Sequence, residues 1–211
     1  MSKSSDALDR GPCALLLIDV INDLEFPGGD KLYRRALPMA HKLARLVARA
    51  RRAHVPVVYV NDNFGRWRSD FRAIVRHCLD DGVRGREIAE LLRPSDDDYF
   101  VLKPKHSAFF STALETLLQA LDSSTLILTG LAGDNCVLFT AHDAYMREYR
   151  LCVPSDCIAS ESPTSNAWAL RHMARFLKVD TQVSTRVDFK ALKRQSPRAP
   201  RQRRNVTHGE G

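Results

Sequence analysis

Short apolar runs rich in Val, Ile and Leu alternate with longer amphipathic stretches along the 211 residues of the chain. A run that is apolar at consecutive positions has no face to offer water, which is the pattern of a strand covered on both sides in a parallel sheet. Six such strands are predicted, at Ala14 to Asp19, Val57 to Val60, Tyr99 to Leu102, Thr125 to Thr129, Leu151 to Pro154 and Val179 to Val183. Helical spacing fills the intervals. Pro38 to Ala53 carries Leu43, Leu46, Val47 and Ala50 on one stripe, and Ser111 to Leu121 carries Leu114, Leu117, Leu118 and Leu121. Asn135 to Glu148 and Thr164 to Phe176 repeat the pattern. Strand, helix, strand units with right-handed crossovers imply one α/β domain with a doubly wound, mostly parallel six-stranded sheet and helices on both faces, a Rossmann-like arrangement. The expected division is an N-terminal extension over 1–11, the domain over 12–188, and a tail over 189–211.

The net charge of +7 invites a nucleic-acid reading, but its distribution changes the picture. From Arg186 to the end there are eight Lys/Arg against two Asp/Glu, which leaves 24 against 23 for everything before. The excess belongs to the tail, where Lys193, Arg194, Arg198, Arg201, Arg203 and Arg204 stand among Pro, Gln, Ser and Asn. Such a composition buries little, so the tail reads as disordered and solubilising, with a weak polyanion contact as the alternative use. Nucleic acid is otherwise not expected as a partner. The apolar run Ala14 to Ile18 is far too short to span a bilayer, and Asp6 and Asp9 stand where a signal peptide needs basic residues. A cytoplasmic protein without membrane contact is expected. Five scattered cysteines, Cys13, Cys78, Cys136, Cys152 and Cys157, read as reduced thiols rather than a disulfide framework.

In doubly wound sheets ligands bind at the carboxyl ends of the strands, near the point where strand order reverses. Three polar residues fall at such ends. Asp19 closes the first strand, Lys103 closes the third, and Cys136 opens the helix that follows the fourth through Gly130-Leu131-Ala132-Gly133-Asp134-Asn135. A thiol at a helix N-terminus beside an ammonium is expected to favour the thiolate. A carboxylate there could carry the thiol proton to a leaving amine. Taken singly, each residue has a plain structural use as a buried small hydrophobe, a cap or a solvated cation.

Together the segments LLLIDVINDLEFPGG (Leu15 to Gly29), VLKPKHSAFFSTALETLL (Val101 to Leu118) and LILTGLAGDNCVLFTAHDAYMREYRLCVPSDCIAS (Leu126 to Ser160) resemble the isochorismatase-like cysteine hydrolases. That family includes nicotinamidases, N-carbamoylsarcosine amidases and isochorismatases, and the resemblance runs over roughly residues 12–185. It implies a catalytic triad of Asp19, Lys103 and Cys136, with Lys103 chosen over Lys105 because Ser107-Ala108-Phe109 follows at the family's offset. It also implies a non-proline cis peptide joining Leu131 to Ala132, and an oxyanion hole made by the N–H groups of Ala132 and Cys136. Dimers or tetramers are implied as well.

Departures from the family pattern narrow the activity. Ile21 replaces a common Gln, and Gly133 replaces a common Thr in the nucleophile turn. Where nicotinamidases place an Asp-x-His pair and a further histidine after the second strand to hold a metal, this chain has Phe64 and, from Asn61 on, no histidine until His77. No metal and no cofactor are therefore expected. Asn61, Asn63, Phe64, Trp67 and Phe109 are the expected pocket residues. His142 and Asp156 are expected to be structural, and Cys152 and Cys157 to be incidental thiols. The expected activity is hydrolysis of a C–N bond in a small amide or carbamoyl-type substrate through a cysteine thioester. Hydrolysis of an isochorismate-like vinyl ether, which needs no nucleophilic cysteine, and a non-enzymatic polyanion binder using the tail are the alternatives.

Overall fold

The computed structural model describes residues 11–63 and 70–194. Its sheet is built around β1 (Cys13–Ile18), whose six side chains are all buried. Alternation divides them between two cores. Cys13, Leu15 and Leu17 pack in one, Ala14, Leu16 and Ile18 in the other. β2 (Val57–Asp62) and β4 (Thr125–Leu131) flank β1, with Leu15 beside Val57 and Ile127. β3 (Tyr99–Lys103) lies outside β2, and β5 (Arg150–Cys152) outside β4. All pairings are parallel. The order β3-β2-β1-β4-β5 means the chain winds one way from β1 and then returns to its other side, so the switch point lies between β1 and β4.

The sixth strand is not where periodicity put it. β6 is Ile158–Ala159, two residues paired with Gly130 and Leu131 of β4. Within Val179 to Val183 only Asp180 forms a bridge, to Cys152. The Asp180 carboxylate accepts the Gln182 N–H at 3.0 Å, and this side-chain turn takes from the ladder a donor that a strand would need.

One face is covered by α1 (Gly29–Arg52), α2 (Phe71–Asp80) and α3 (Arg86–Leu91), the other by α4 (Leu114–Ala120), α5 (Cys136–Met146) and α6 (Pro163–Phe176). The last three match the predicted stretches within three residues. α1 begins well before Pro38, which sits inside it at the loss of one backbone hydrogen bond. The buried stripe Leu32, Ala36, Met39, Ala40 and Leu43 runs straight through that position and holds the helix together. Asp70 caps α2 by accepting from the Ala73 N–H at 2.7 Å.

The expected tail boundary shifts. Phe189–Arg194 forms α7, with Phe189 buried and the Lys193 ammonium donating to the carbonyls of Ala53 and, at 2.9 Å, His54. A single aromatic with a shelf to pack on anchors this piece despite its basic composition. Among the described residues no helix is long and apolar enough to cross a membrane.

Candidate active site

Asp19 follows β1 at the switch point and turns the chain with φ 52, a left-handed conformation that Asp tolerates better than most residues. The turn is held from both sides: the Asp19 N–H donates to the Val60 carbonyl at 2.9 Å, and Oδ1 accepts from the Asp62 N–H at 2.7 Å. Only 5% of the residue is exposed. Lys103, the last residue of β3, is fully buried. Its Nζ lies 2.9 Å from Asp19 Oδ2, 3.1 Å from the Lys105 carbonyl, 3.5 Å from Asp62 Oδ2 and 3.6 Å from Cys136 Sγ. Cys136 opens α5 and is 9% exposed. Three residues separated by 84 and 33 positions thus share one buried cluster through Lys103.

The turn that delivers Cys136 is shaped by close backbone approach. Gly130 has φ 110, and a Cβ there would stand 2.0 Å from the Ile18 carbonyl oxygen. The Leu131–Ala132 peptide is cis. A Cβ on Gly133 would lie 2.3 Å from Asn166 Oδ1, so Asn166 of α6 fills the space a side chain at 133 would need. Ser160 fastens the same turn: its hydroxyl donates to Asn166 Oδ1 at 3.0 Å and accepts the Asp134 N–H at 3.1 Å. Neither Ser160 nor Asn166 was singled out in the sequence, because nothing in their local pattern points toward the turn. The Gly133, Asp134, Asn135 and Val137 N–H groups are engaged. Among the described residues no backbone acceptor takes the N–H of Ala132 or Cys136.

Electrostatics correct one expectation. Burial, and then the adjacent Asp19 charge, push the Cys136 thiol up to about 12, against the pull of Lys103. The helix N-terminus and one ammonium do not replace the lost water, so the resting group is the thiol. Burial also raises Asp19 above the usual carboxylate range although Lys103 opposes it, which makes Asp19 a better proton acceptor. Burial pulls the Lys103 pKa down, but Asp19 first, then Cys136 and Asp62, outweigh it and hold it above the ordinary lysine value.

The expected pocket residues are not all brought to this cluster. Asn61 is fully buried on the sheet face opposite Asp62, where its amide donates to the Ile21 carbonyl at 2.6 Å and steadies the segment after Asp19. Strand parity decides this, since Asp62 takes the side facing Lys103. Phe109 is core, 6% exposed, with its ring on Tyr149 and under the Arg147 guanidinium near the far end of α5. The Asn63 N–H donates to the Lys103 carbonyl at 3.0 Å. Phe64 and Trp67 lie outside the described residues.

His142 pairs with His172, Nε2 to Nε2 at 3.1 Å, and Asp156 holds Ser184 through its N–H at 2.7 Å and its hydroxyl at 3.0 Å. Cys152 and Cys157 are buried free thiols. A cavity of about 760 Å³ near Tyr145, Met146 and Leu177 opens at the other end of α5 and involves none of the three clustered residues. Among the described residues no group of three or more His, Cys, Asp or Glu is placed to hold a metal. Asp62 faces Lys103, and Phe64, two residues on, has no donor atom.

One residue near the thiol escaped the sequence reading. His106 Nδ1 lies 3.8 Å from Cys136 Sγ, and its ring rests on Phe139. The stretch KPKHSAF was read for its lysine and for Ser107-Ala108-Phe109, leaving the histidine between them unremarked.

Residues 13–184 match the isochorismatase domain. The isochorismatase family protein YaaI of Bacillus subtilis is 44% identical over 170 residues, covering 81% of this chain and 93% of that protein. The ureidoacrylate amidohydrolase RutB of Methylobacterium radiotolerans is 28% identical over 201 residues, covering 83% and 76%. Among solved structures, the N-carbamoylsarcosine amidase of Thermoplasma acidophilum superposes with a TM-score of 0.64 at 28% identity, covering 83% of this chain and 98% of that one. With its parallel sheet in the order just described and a domain match over most of its length, the chain belongs to the isochorismatase family of hydrolases.

Proposed function

We propose that this hydrolase cleaves a C–N bond of a small amide or carbamoyl-type substrate through a thioester on Cys136, with Asp19 as proton carrier and Lys103 as electrostatic partner. The observation that carries the proposal is the buried cluster in which Lys103 Nζ stands 2.9 Å from Asp19 Oδ2 and 3.6 Å from Cys136 Sγ. A thiol held near 12 is a poor nucleophile at rest, so attack requires a base beside it, and Asp19 shares Lys103 Nζ with it. The proton passes from Sγ to Asp19 as sulfur adds to the carbonyl carbon. Lys103 offsets the charge that moves between sulfur and carboxylate. The oxyanion meets the N–H groups of Ala132 and Cys136, donors that the turn leaves without a backbone acceptor among the described residues. Asp19 then gives its proton to the departing amine, and water releases the acid. The names of two relatives, an amidohydrolase and an amidase, favour the C–N bond over a vinyl ether, as does a cysteine in contact with the Lys103 ammonium.

The test is a panel of small amides and ureido acids, read by ammonia or amine release, with Cys136→Ala alongside. Release by the wild-type protein that disappears in Cys136→Ala supports the proposal. Hydrolysis that Cys136→Ala retains in full would move the chemistry to a mechanism without a thioester.

A further inference from the structure

The thiol is flanked on two sides. Asp19, Lys103 and Cys136 are buried, whereas His106 is exposed, so the imidazole approaches Sγ from the solvent side at 3.8 Å. The loop holding His106 is fixed at both ends. Before it, the Lys105 carbonyl accepts from Lys103 Nζ at 3.1 Å. After it, Ser107 Oγ donates to Asp143, the Ala108 N–H donates to Thr140 Oγ1 at 3.0 Å, and the Phe109 N–H donates to Ser107 Oγ at 3.2 Å. Asp143 and Thr140 belong to α5, the helix that Cys136 opens. Phe139, one turn along that helix, packs tilted against the imidazole with ring centroids 5.4 Å apart. The ring is therefore positioned by the same element as the nucleophile, which is how a reacting group is held in register.

Resting on the thioester reading, we propose that His106 is the catalytic base of the second half-reaction, the one that activates the water. Acylation uses Asp19, which ends as a carboxylate after giving its proton to the amine. The acyl group then lies between the buried carboxylate and the solvent, and water reaches its carbonyl from the side His106 occupies. Water oxygen bonds to the carbonyl carbon while one water proton passes to His106 Nδ1. The tetrahedral intermediate collapses, the C–S bond breaks with its electron pair going to sulfur, and the acid departs. His106 returns the proton to Sγ across the 3.8 Å contact, restoring the thiol. An imidazole suits this work because one ring nitrogen can take a proton and give it up again within a single cycle.

The experiment uses p-nitrophenyl acetate, whose activated ester acylates a cysteine without help to its leaving group. The wild-type protein should release p-nitrophenolate steadily. His106→Gln and His106→Phe should release about one equivalent in a burst and then turn over at least tenfold more slowly, the expected scale for losing a general base being about 10²–10⁴. Intact mass of the slow phase should show the acetyl group retained, and peptide mapping should place it on Cys136. Imidazole added to His106→Gly should restore deacylation. A structural role for the ring would neither accumulate acyl-enzyme nor be rescued by imidazole. Both variants deacylating at the wild-type rate, with no retained acetyl group, would overturn the assignment to His106 while leaving the Cys136 thioester standing. An acetyl group found on another residue of the wild-type protein would overturn the thioester reading and this inference with it.

Discussion

Lys103→Met separates the electrostatic role of this lysine from its bulk. Methionine keeps a long unbranched side chain in a fully buried position but removes the ammonium that touches Asp19, Cys136 and Asp62. At 2.9 Å and an effective dielectric of about 20, the Lys103–Asp19 attraction is on the order of 6 kcal/mol before desolvation is counted. Removing one partner of such a pair leaves the other charge buried and costs roughly 3–5 kcal/mol of stability. At roughly 2–4 °C per kcal/mol for a chain of this size, the melting temperature should fall by about 10 °C. The double variant Asp19→Asn, Lys103→Met carries no uncompensated charge, so it should recover most of that loss, and it should remain as inactive as either single variant. Urea unfolding followed by circular dichroism measures the stability side, and amine release measures turnover. If Lys103→Met keeps the wild-type unfolding midpoint, or if the double variant loses the sum of the two single losses, the pair is not coupled as its geometry implies.

Asp19→Asn should speed iodoacetamide labelling of Cys136 while abolishing turnover, because the Asp19 charge raises the thiol pKa and also carries the proton; mass mapping that shows slower labelling would contradict this. Activity should fall on the acid side as Asp19 gains its proton. Since burial raises that pKa, the acid limb of kcat/KM should lie above the ordinary carboxylate value of about 4, as a pH profile from acid to neutral will show. Gly133→Ala forces a methyl group onto Asn166 Oδ1 and should cost about 1–3 kcal/mol in thermal unfolding, with partial recovery in Gly133→Ala, Asn166→Ala.

What was legible in the sequence is what two periodicities report. Consecutive apolar runs located β1, β2 and β4 because both faces of those strands are covered, and also the edge strand β3, where Phe100 stays exposed; the residues at their carboxyl ends fell where a switch point collects them. β6 was invisible because two residues carry no period, and Val179 to Val183 misled because apolar composition does not reveal that Asp180 turns the backbone. Pro38 masked the first turns of α1, where tertiary packing overrides local preference. The triad positions were suggested by strand ends and sharpened by family resemblance, but neither reports desolvation, so the thiol was expected to be ionised and is not. Asn61 and Phe109 were assigned to a pocket by nearness in sequence, while strand parity in one case and the Tyr149 ring in the other direct them elsewhere. His106 went unnoticed for the opposite reason, since its meaning depends on a fold that brings residue 106 against residue 136.

The most direct test is rapid-quench intact mass of the wild-type protein during hydrolysis of an amide it accepts. A Cys136 thioester predicts an adduct of the acyl fragment, formed as fast as amine is released, mapped to Cys136, and absent in Cys136→Ala. Steady amine release with no adduct at any time, together with full activity in Cys136→Ala, would contradict it.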